Sequence, residues 1–252
     1  MNREIQQSLV KVPAVTLMFW IIKVTATTLG ETGGDAVSMS MDLGYLAASF
    51  VFALLFMAAV VAQIRATRFR PYLYWTTIIA TTTLGTTLAD FADRSLGIGY
   101  AGGTSLLLGL LIASLVVWRV VFGSVAIDTV SSPGVEACYW MTIMFSQTLG
   151  TALGDWTADT AEFGYLGAAA IFGGMLALVA AGFYWARFSR TVLFWTAFVL
   201  TRPLGAVVGD FLDKPAASGG LALSRYSASA VLLVFMVACI VIFDQKPASS
   251  GH

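Results

Sequence analysis

The chain has 252 residues, 58% hydrophobic and 11% charged, with no net charge and a mean hydropathy of +0.82. Soluble domains carry about a quarter charged residues, so this composition points to a membrane protein. The 14 basic residues are scattered, which excludes a nucleic-acid-binding tract, and no glycine-rich phosphate loop leads into a Lys-Ser/Thr pair.

The opening MNREIQQSLVKVP is polar and runs straight into an apolar segment, so no cleavable leader is expected. Crossing about 30 Å of hydrocarbon takes roughly 20 apolar residues. Eight such runs follow, at about 13–34, 45–64, 71–91, 99–121, 136–156, 164–185, 191–211 and 222–243. The joins between them are short, which predicts one all-α integral membrane domain. Arg3, Lys11, Arg65, Arg68, Arg70, Arg119, Arg187, Arg190 and Lys246 gather on one set of ends, against Arg94, Lys214 and Arg225 on the other. The positive-inside rule then predicts cytoplasmic termini. The opposite loops read as acidic, with Asp42, Asp93, Asp159, Glu162 and Asp213. Cys138 and Cys239 sit singly in apolar runs and read as small buried hydrophobes, without CxxC spacing. His252 is the single histidine, so any site works without imidazole.

The spans fall into four copies of one unit, approximately 13–66, 68–122, 133–187 and 188–243. An aromatic-Trp pair opens each copy: Phe19-Trp20, Tyr74-Trp75, Tyr139-Trp140 and Phe194-Trp195. A Leu-Gly pair ends ten residues later at Gly30, Gly85, Gly150 and Gly205, and an aspartate follows at Asp35, Asp90, Asp155 and Asp210. Gly44, Gly99, Gly164 and Gly219 complete the pattern W-x9-G-x4-D-x8-G; a tyrosine follows in three copies and Gly220 in the fourth. Two spans per copy make these parallel repeats about an axis along the membrane normal. The tryptophans are about 55 residues apart within copies 1–2 and 3–4 but about 65 apart between copies 2 and 3. The extra segment 127–136 is expected to be a seam, so both a pseudo-fourfold and a dimer of halves fit.

With these motifs the chain resembles the bacterial multi-pass membrane proteins built from four tandem two-span repeats of unknown function with a characteristic tryptophan. The resemblance covers nearly the whole chain. It implies the fold and the cytoplasmic (inner) membrane, and no activity.

A helix turns about 100° per residue, so positions seven, eleven and fifteen after each tryptophan share one face. The four stripes read Thr27-Glu31-Asp35, Thr82-Thr86-Asp90, Gln147-Thr151-Asp155 and Arg202-Ala206-Asp210. Lys23 lies about 60° to one side of the first. Trp20 to Asp35 spans about 22 Å, so tryptophans at the inner interface put the aspartates near the outer one. A charge at mid-membrane costs about 2.5–3.5 kcal/mol, which predicts that Glu31 pairs with Arg202, with Lys23 as second candidate. The aspartates also fit plain interfacial residues meeting water. Against that, a carboxylate opposes the macrodipole at a helix C-terminus, and aspartate holds that place in all four copies. The tryptophans fit a lipid-facing aromatic belt, and the Leu-Gly pairs fit close helix contacts. The second helices lack charge and read as lipid-facing wall, with Gly102, Gly103, Gly173 and Gly174 as packing faces.

Converging stripes would form an acidic outward-facing vestibule. Carboxylates without histidine or thiolate suit Mg²⁺, Mn²⁺ or Ca²⁺. The expectation is transport of a small cation, a divalent metal such as Mn²⁺ favoured, with no nucleic-acid partner and homo-oligomerisation left open. Glu31, Asp35, Asp90, Asp155 and Asp210 would be metal ligands, Lys23 and Arg202 charge partners, and Thr27, Thr82, Thr86, Gln147 and Thr151 polar lining. Trp20, Trp75, Trp140 and Trp195 mark the repeat. No resident cofactor is expected, the metal ion being substrate. The alternative is a sensor or scaffold whose buried pair fixes helix register. An enzyme is not expected, because no nucleophile-base set or HExxH motif is present.

Overall fold

The computed structural model describes residues 10–160, 163–185 and 188–248. Arg3, Glu162, Arg187 and His252, used above for orientation and for the lack of imidazole, lie outside the described residues. The protein is all-helical, with eight long helices and no strand among the described residues. They are α1 (Leu17–Asp35), α2 (Tyr45–Arg65), α3 (Pro71–Asp90), α4 (Gly99–Phe122), α5 (Pro133–Asp155), α6 (Gly164–Trp185), α7 (Arg190–Asp213) and α8 (Arg225–Ile242). The starts follow local chemistry. Thr16 accepts the Phe19 amide to cap α1, and Pro71 and Pro133 take the first turns of α3 and α5, where a missing N–H costs nothing.

The odd-numbered helices form an inner ring in which α1 packs on α3, α3 on α5, α5 on α7 and α7 on α1. The second helix of each repeat lies outside, against the first helix of the next repeat: α2 on α3, α4 on α5, α6 on α7, and α8 back on α1. Segment 127–136 therefore marks no seam. It makes a short 3-10 turn, Ile127–Thr129, and then starts α5, and the ring passes from α3 to α5 unbroken. The arrangement is pseudo-fourfold.

Two motif glycines explain themselves in this frame. Gly44, Gly99, Gly164 and Gly219 all have positive φ, from +63° to +85°, in the turn before each outer helix, a conformation L side chains resist. The Leu-Gly glycines are contact points. A Cβ on Gly30 would strike Thr82, on Gly85 Gln147, on Gly150 Arg202, and on Gly205 Thr27. Each glycine thus receives the stripe side chain of the next helix, and the fourth contact returns to the first helix. One turn later Gly34 meets Thr86, Gly154 meets Ala206 and Gly209 meets Glu31. The pattern is a small-xxx-small seam on each inner helix, with Ala89 in the second place on α3.

Three of the four motif tryptophans are not a lipid-facing belt, while Trp20 is half-buried. The aromatic pairs pack on one another around one end of the ring. Phe19 stacks on Trp75, Tyr74 on Trp140, Tyr139 on Trp195 and Phe194 on Trp20, with centroids 5.5, 5.6, 6.2 and 5.8 Å apart. Tyr74 and Tyr139 share a 2.7 Å hydrogen bond, and Trp195 donates to the Val125 carbonyl. Trp75, Trp140 and Trp195 are buried.

Below this end, residues 10–16 run as an extended strap, so α1 begins later than the apolar run suggested. Pro13 bridges to Pro247, with Ala14 N–H on Lys246 and Ala248 N–H on Val12. Lys11, read from sequence as an interfacial charge, is buried. Its ammonium pairs with Glu136 and donates to the carbonyls of Gln63, Ile64 and Ala66, where the negative end of α2 awaits a cation.

Outer helices α2, α4, α6 and α8 expose long apolar faces, among them Phe50, Leu54, Val120, Leu178 and Val234. With α7 they make five helices long and apolar enough to cross a membrane. Gly173 and Gly174 face open space and Gly102 meets only its own helix, so they are not packing faces. Gly103 instead makes room for Asp93.

Replacing Gly205 by Ala puts a Cβ against Thr27, including its backbone carbonyl carbon 2.9 Å away. Overpacking of this kind costs about 1–3 kcal/mol. Gly205→Ala is expected to lower the thermal unfolding midpoint in detergent, and Gly173→Ala to leave it unchanged.

Candidate functional site

The inner-helix stripes place side chains in successive levels along the ring axis. At the level three residues after each tryptophan stand Lys23, Ile78, Ile143 and Phe198. Thr27, Thr82, Gln147 and Arg202 follow, then Glu31, Thr86, Thr151 and Ala206, then the four aspartates. Burial is near complete throughout: Lys23, Thr27, Thr82, Thr86, Gln147, Thr151, Asp35 and Arg202 are 0% exposed, and Glu31, Asp90, Asp155 and Asp210 are 3% exposed. The aspartates are therefore inside the ring and do not lie at an open surface.

Glu31 pairs with Arg202, Nη2 to Oε2 at 2.9 Å. The same nitrogen lies within hydrogen-bonding distance of Thr86 Oγ1 and Thr151 Oγ1, and Thr86 also reaches Glu31 at 3.2 Å. Arg202 extends from α7 and touches a polar group on each of the other three inner helices. Lys23 does not pair with Glu31. Its Nζ has no hydrogen-bond partner and stands 4.2 Å over the centre of the Phe198 ring.

The aspartates meet two cations that sequence reading had left in the loops. Lys214 lies 2.7 Å from Asp35 and 3.1 Å from Asp210, while Arg94 lies 3.2 Å from Asp90 and 3.3 Å from Asp155. Both cations sit four residues after an aspartate, so they continue the stripe by one turn, and that offset was the overlooked signal. Arg225 adds a third cation, 2.9 Å from Asp213 and 3.8 Å from Asp35. Asp213 is consequently buried, and only Asp42 and Asp159 of the described acidic loop residues face outward as expected. Burial alone would lower the Lys214 ammonium, yet Asp210 and Asp35 outweigh it and hold the group above its ordinary value. Burial pushes the Asp93 carboxyl up to about 6, with Arg94 pulling the other way.

One carboxylate oxygen each from Glu31, Asp35 and Asp210 lie within 4.8 Å of one another. Asp35 Oδ1 and Asp155 Oδ1 have no partner, whereas Asp210 Oδ1 faces the Lys214 ammonium. Asp90 and Asp155 stand with Arg94 in the opposite half of the ring. Hard oxygen donors at this spacing can close around a small cation once Lys214 gives way. A separate hollow of about 640 Å³ opens between α1, α6 and α7. Trp20, Val24, Phe183, Leu193 and Ala197 wall it, and it does not reach the axial charges.

The Glu31–Arg202 pair gives a test of its energetic role. Removing one member of a buried pair costs about 3–5 kcal/mol, whereas an apolar pair of similar volume is often tolerated. Glu31→Met and Arg202→Met are each expected to unfold far earlier than wild type in a thermal scan. The double variant is expected to recover most of the loss, since Met retains the stem atoms that pack on Gly209 and Gly150.

The family model described as Repeat of Unknown Function (DUF347) matches residues 18–69, 73–122, 138–189 and 193–243. No curated protein and no solved structure matches the chain. Four tandem matches over most of its length place the chain in the DUF347 repeat family.

Proposed function

We propose that all eight helices lie in a membrane and that the protein carries a small cation across it, a divalent metal such as Mn²⁺ being favoured. The apolar outer helices face lipid. Arg65, Arg68, Arg70, Arg119, Arg190 and Lys246 lie at the ends that carry the termini, which makes that side cytoplasmic and the aspartate side external.

One observation carries the cation reading: three buried carboxylates, Glu31, Asp35 and Asp210, converge within 4.8 Å, and Asp35 keeps an oxygen without a partner. Burying carboxylates without full compensation is costly, and within membranes such groups mark ion pathways. Lys214, its side chain 13% exposed just beyond α7, is the cation that an arriving ion would displace. An arriving divalent ion takes its place between Asp35 and Asp210, and Glu31 is the deepest ligand. Burial of the carboxylates and the packed aromatic side chains at the other end favour a carrier that changes state over an open pore.

The second reading, a scaffold or sensor, rests on Arg202. A side chain that ties its own helix to three others suits a device that fixes register.

Proteoliposomes holding a metal-sensitive dye separate the two. Wild-type protein is expected to pass Mn²⁺, and Glu31→Gln and Asp35→Asn to lower the initial rate at least tenfold while running as monodisperse protein. Unchanged flux in both variants, or none in wild type, leaves the scaffold reading in place.

A further inference from the structure

Beneath the carboxylates the axis holds a second group of buried polar atoms without partners. Lys23 Nζ, Arg202 Nε and Nη1, and both amide atoms of Gln147 accept or donate nothing in the protein. All three residues are 0% exposed. They lie on adjacent levels of the axis. Phe198, whose ring lies under Lys23 Nζ, is one turn before Arg202 on α7. Gln147 is one turn before Thr151, which touches the Arg202 guanidinium.

We propose that Lys23, Gln147 and the free N–H groups of Arg202 bind a small monovalent inorganic anion of the halide class. Native proteins seldom leave buried polar groups unmatched, since each costs about 1–3 kcal/mol and charged ones more. The unmatched atoms here are donors apart from one amide oxygen: an ammonium, two guanidinium N–H positions and an amide NH₂. Ile78, Ile143 and Phe198 share the Lys23 level, and the aromatic ring lies below, so the surroundings are apolar. Such walls favour a weakly hydrated monovalent ion over phosphate or sulfate, whose desolvation is far more costly. Arg202 also pairs with Glu31, but Lys23 and Gln147 touch none of the carboxylates, so the inference does not require the cation reading.

The test uses the full chain purified in detergent. Its thermal unfolding midpoint is followed as chloride or bromide replaces gluconate at constant ionic strength. A saturable rise of about 4 °C is expected for wild type at ten times the dissociation constant. Lys23→Met and Gln147→Leu, both suited to apolar surroundings, are expected to lose that response. Bromide-soaked crystals are expected to give an anomalous peak within hydrogen-bonding distance of Lys23 Nζ. An indifferent wild type overturns the proposal, as does a rise of equal size in either variant, which marks a general salt effect. If Lys23→Met does not fold, Gln147→Leu alone decides by the same comparison.

Discussion

The contact between a glycine on one inner helix and a stripe side chain on the next is made four times, until Gly205 returns to Thr27. It sets the radius of the ring. Helices that approach this closely leave no room for a wide lumen, so whatever the stripes carry is pressed together on the axis. The same closeness lets hydroxyls reach the neighbouring backbone: Thr82 donates to Ala26, Thr86 to Gly30 and Thr27 to Thr201. Small residues at the seam and polar groups across it are the two means by which helices associate where water cannot drive them together.

The ring radius has an electrostatic consequence. Carboxylates and cations brought onto one axis lose most of their hydration, and only close pairing offsets that cost. Arg202 meets it with one nitrogen shared among Glu31, Thr86 and Thr151, while Lys214 and Arg94 each bridge two aspartates. Compensation is complete in neither half of the axis. The carboxylate half keeps oxygens without donors, and the half below it keeps Lys23, Gln147 and Arg202 atoms without partners. A chain with a purely structural core would be expected to match these groups or replace them with apolar ones.

Much of this was legible in the sequence because the repeat restates each rule four times. W-x9-G-x4-D-x8-G marks the interlocking glycine, the axial aspartate and the left-handed turn, and the face periodicity gave the Glu31–Arg202 pairing. What failed to show was the direction in which residues common to membrane interfaces point. Tryptophan and lysine have an apolar body and a polar tip, so the same letters fit a lipid belt and a buried girdle. Trp75 and Trp140 turn inward because the neighbouring repeat presents Phe19 and Tyr74, and a single helix does not reveal its neighbour. Lys11 and Lys214 were assigned to surfaces for the same reason, although each completes the end of a helix or a pair of carboxylates. The swap of outer helices between repeats was likewise invisible, since short loops allow it as readily as a hairpin.

The departures from fourfold symmetry locate the site better than the symmetry does. Identical carboxylates at the Glu31 level would repel one another, and identical arginines would find no acceptor, so one Glu, one Arg and two Thr make a set that can all be satisfied. The unlike residues are not spread evenly. Lys23 against Phe198 and Glu31 against Arg202 both lie where α1 meets α7. That is the interface at which the last repeat closes on the first. It is also where the helical pattern differs: the first three inner helices end in five-residue π turns, whereas α7 carries Pro203 and continues as an α-helix to Asp213. An internal proline removes a backbone hydrogen bond and leaves a point where a helix can bend. Pro203 adjoins Arg202, so bending there would move the guanidinium relative to Glu31, and the ring-closing interface joins the concentrated charge to the helix best able to shift it.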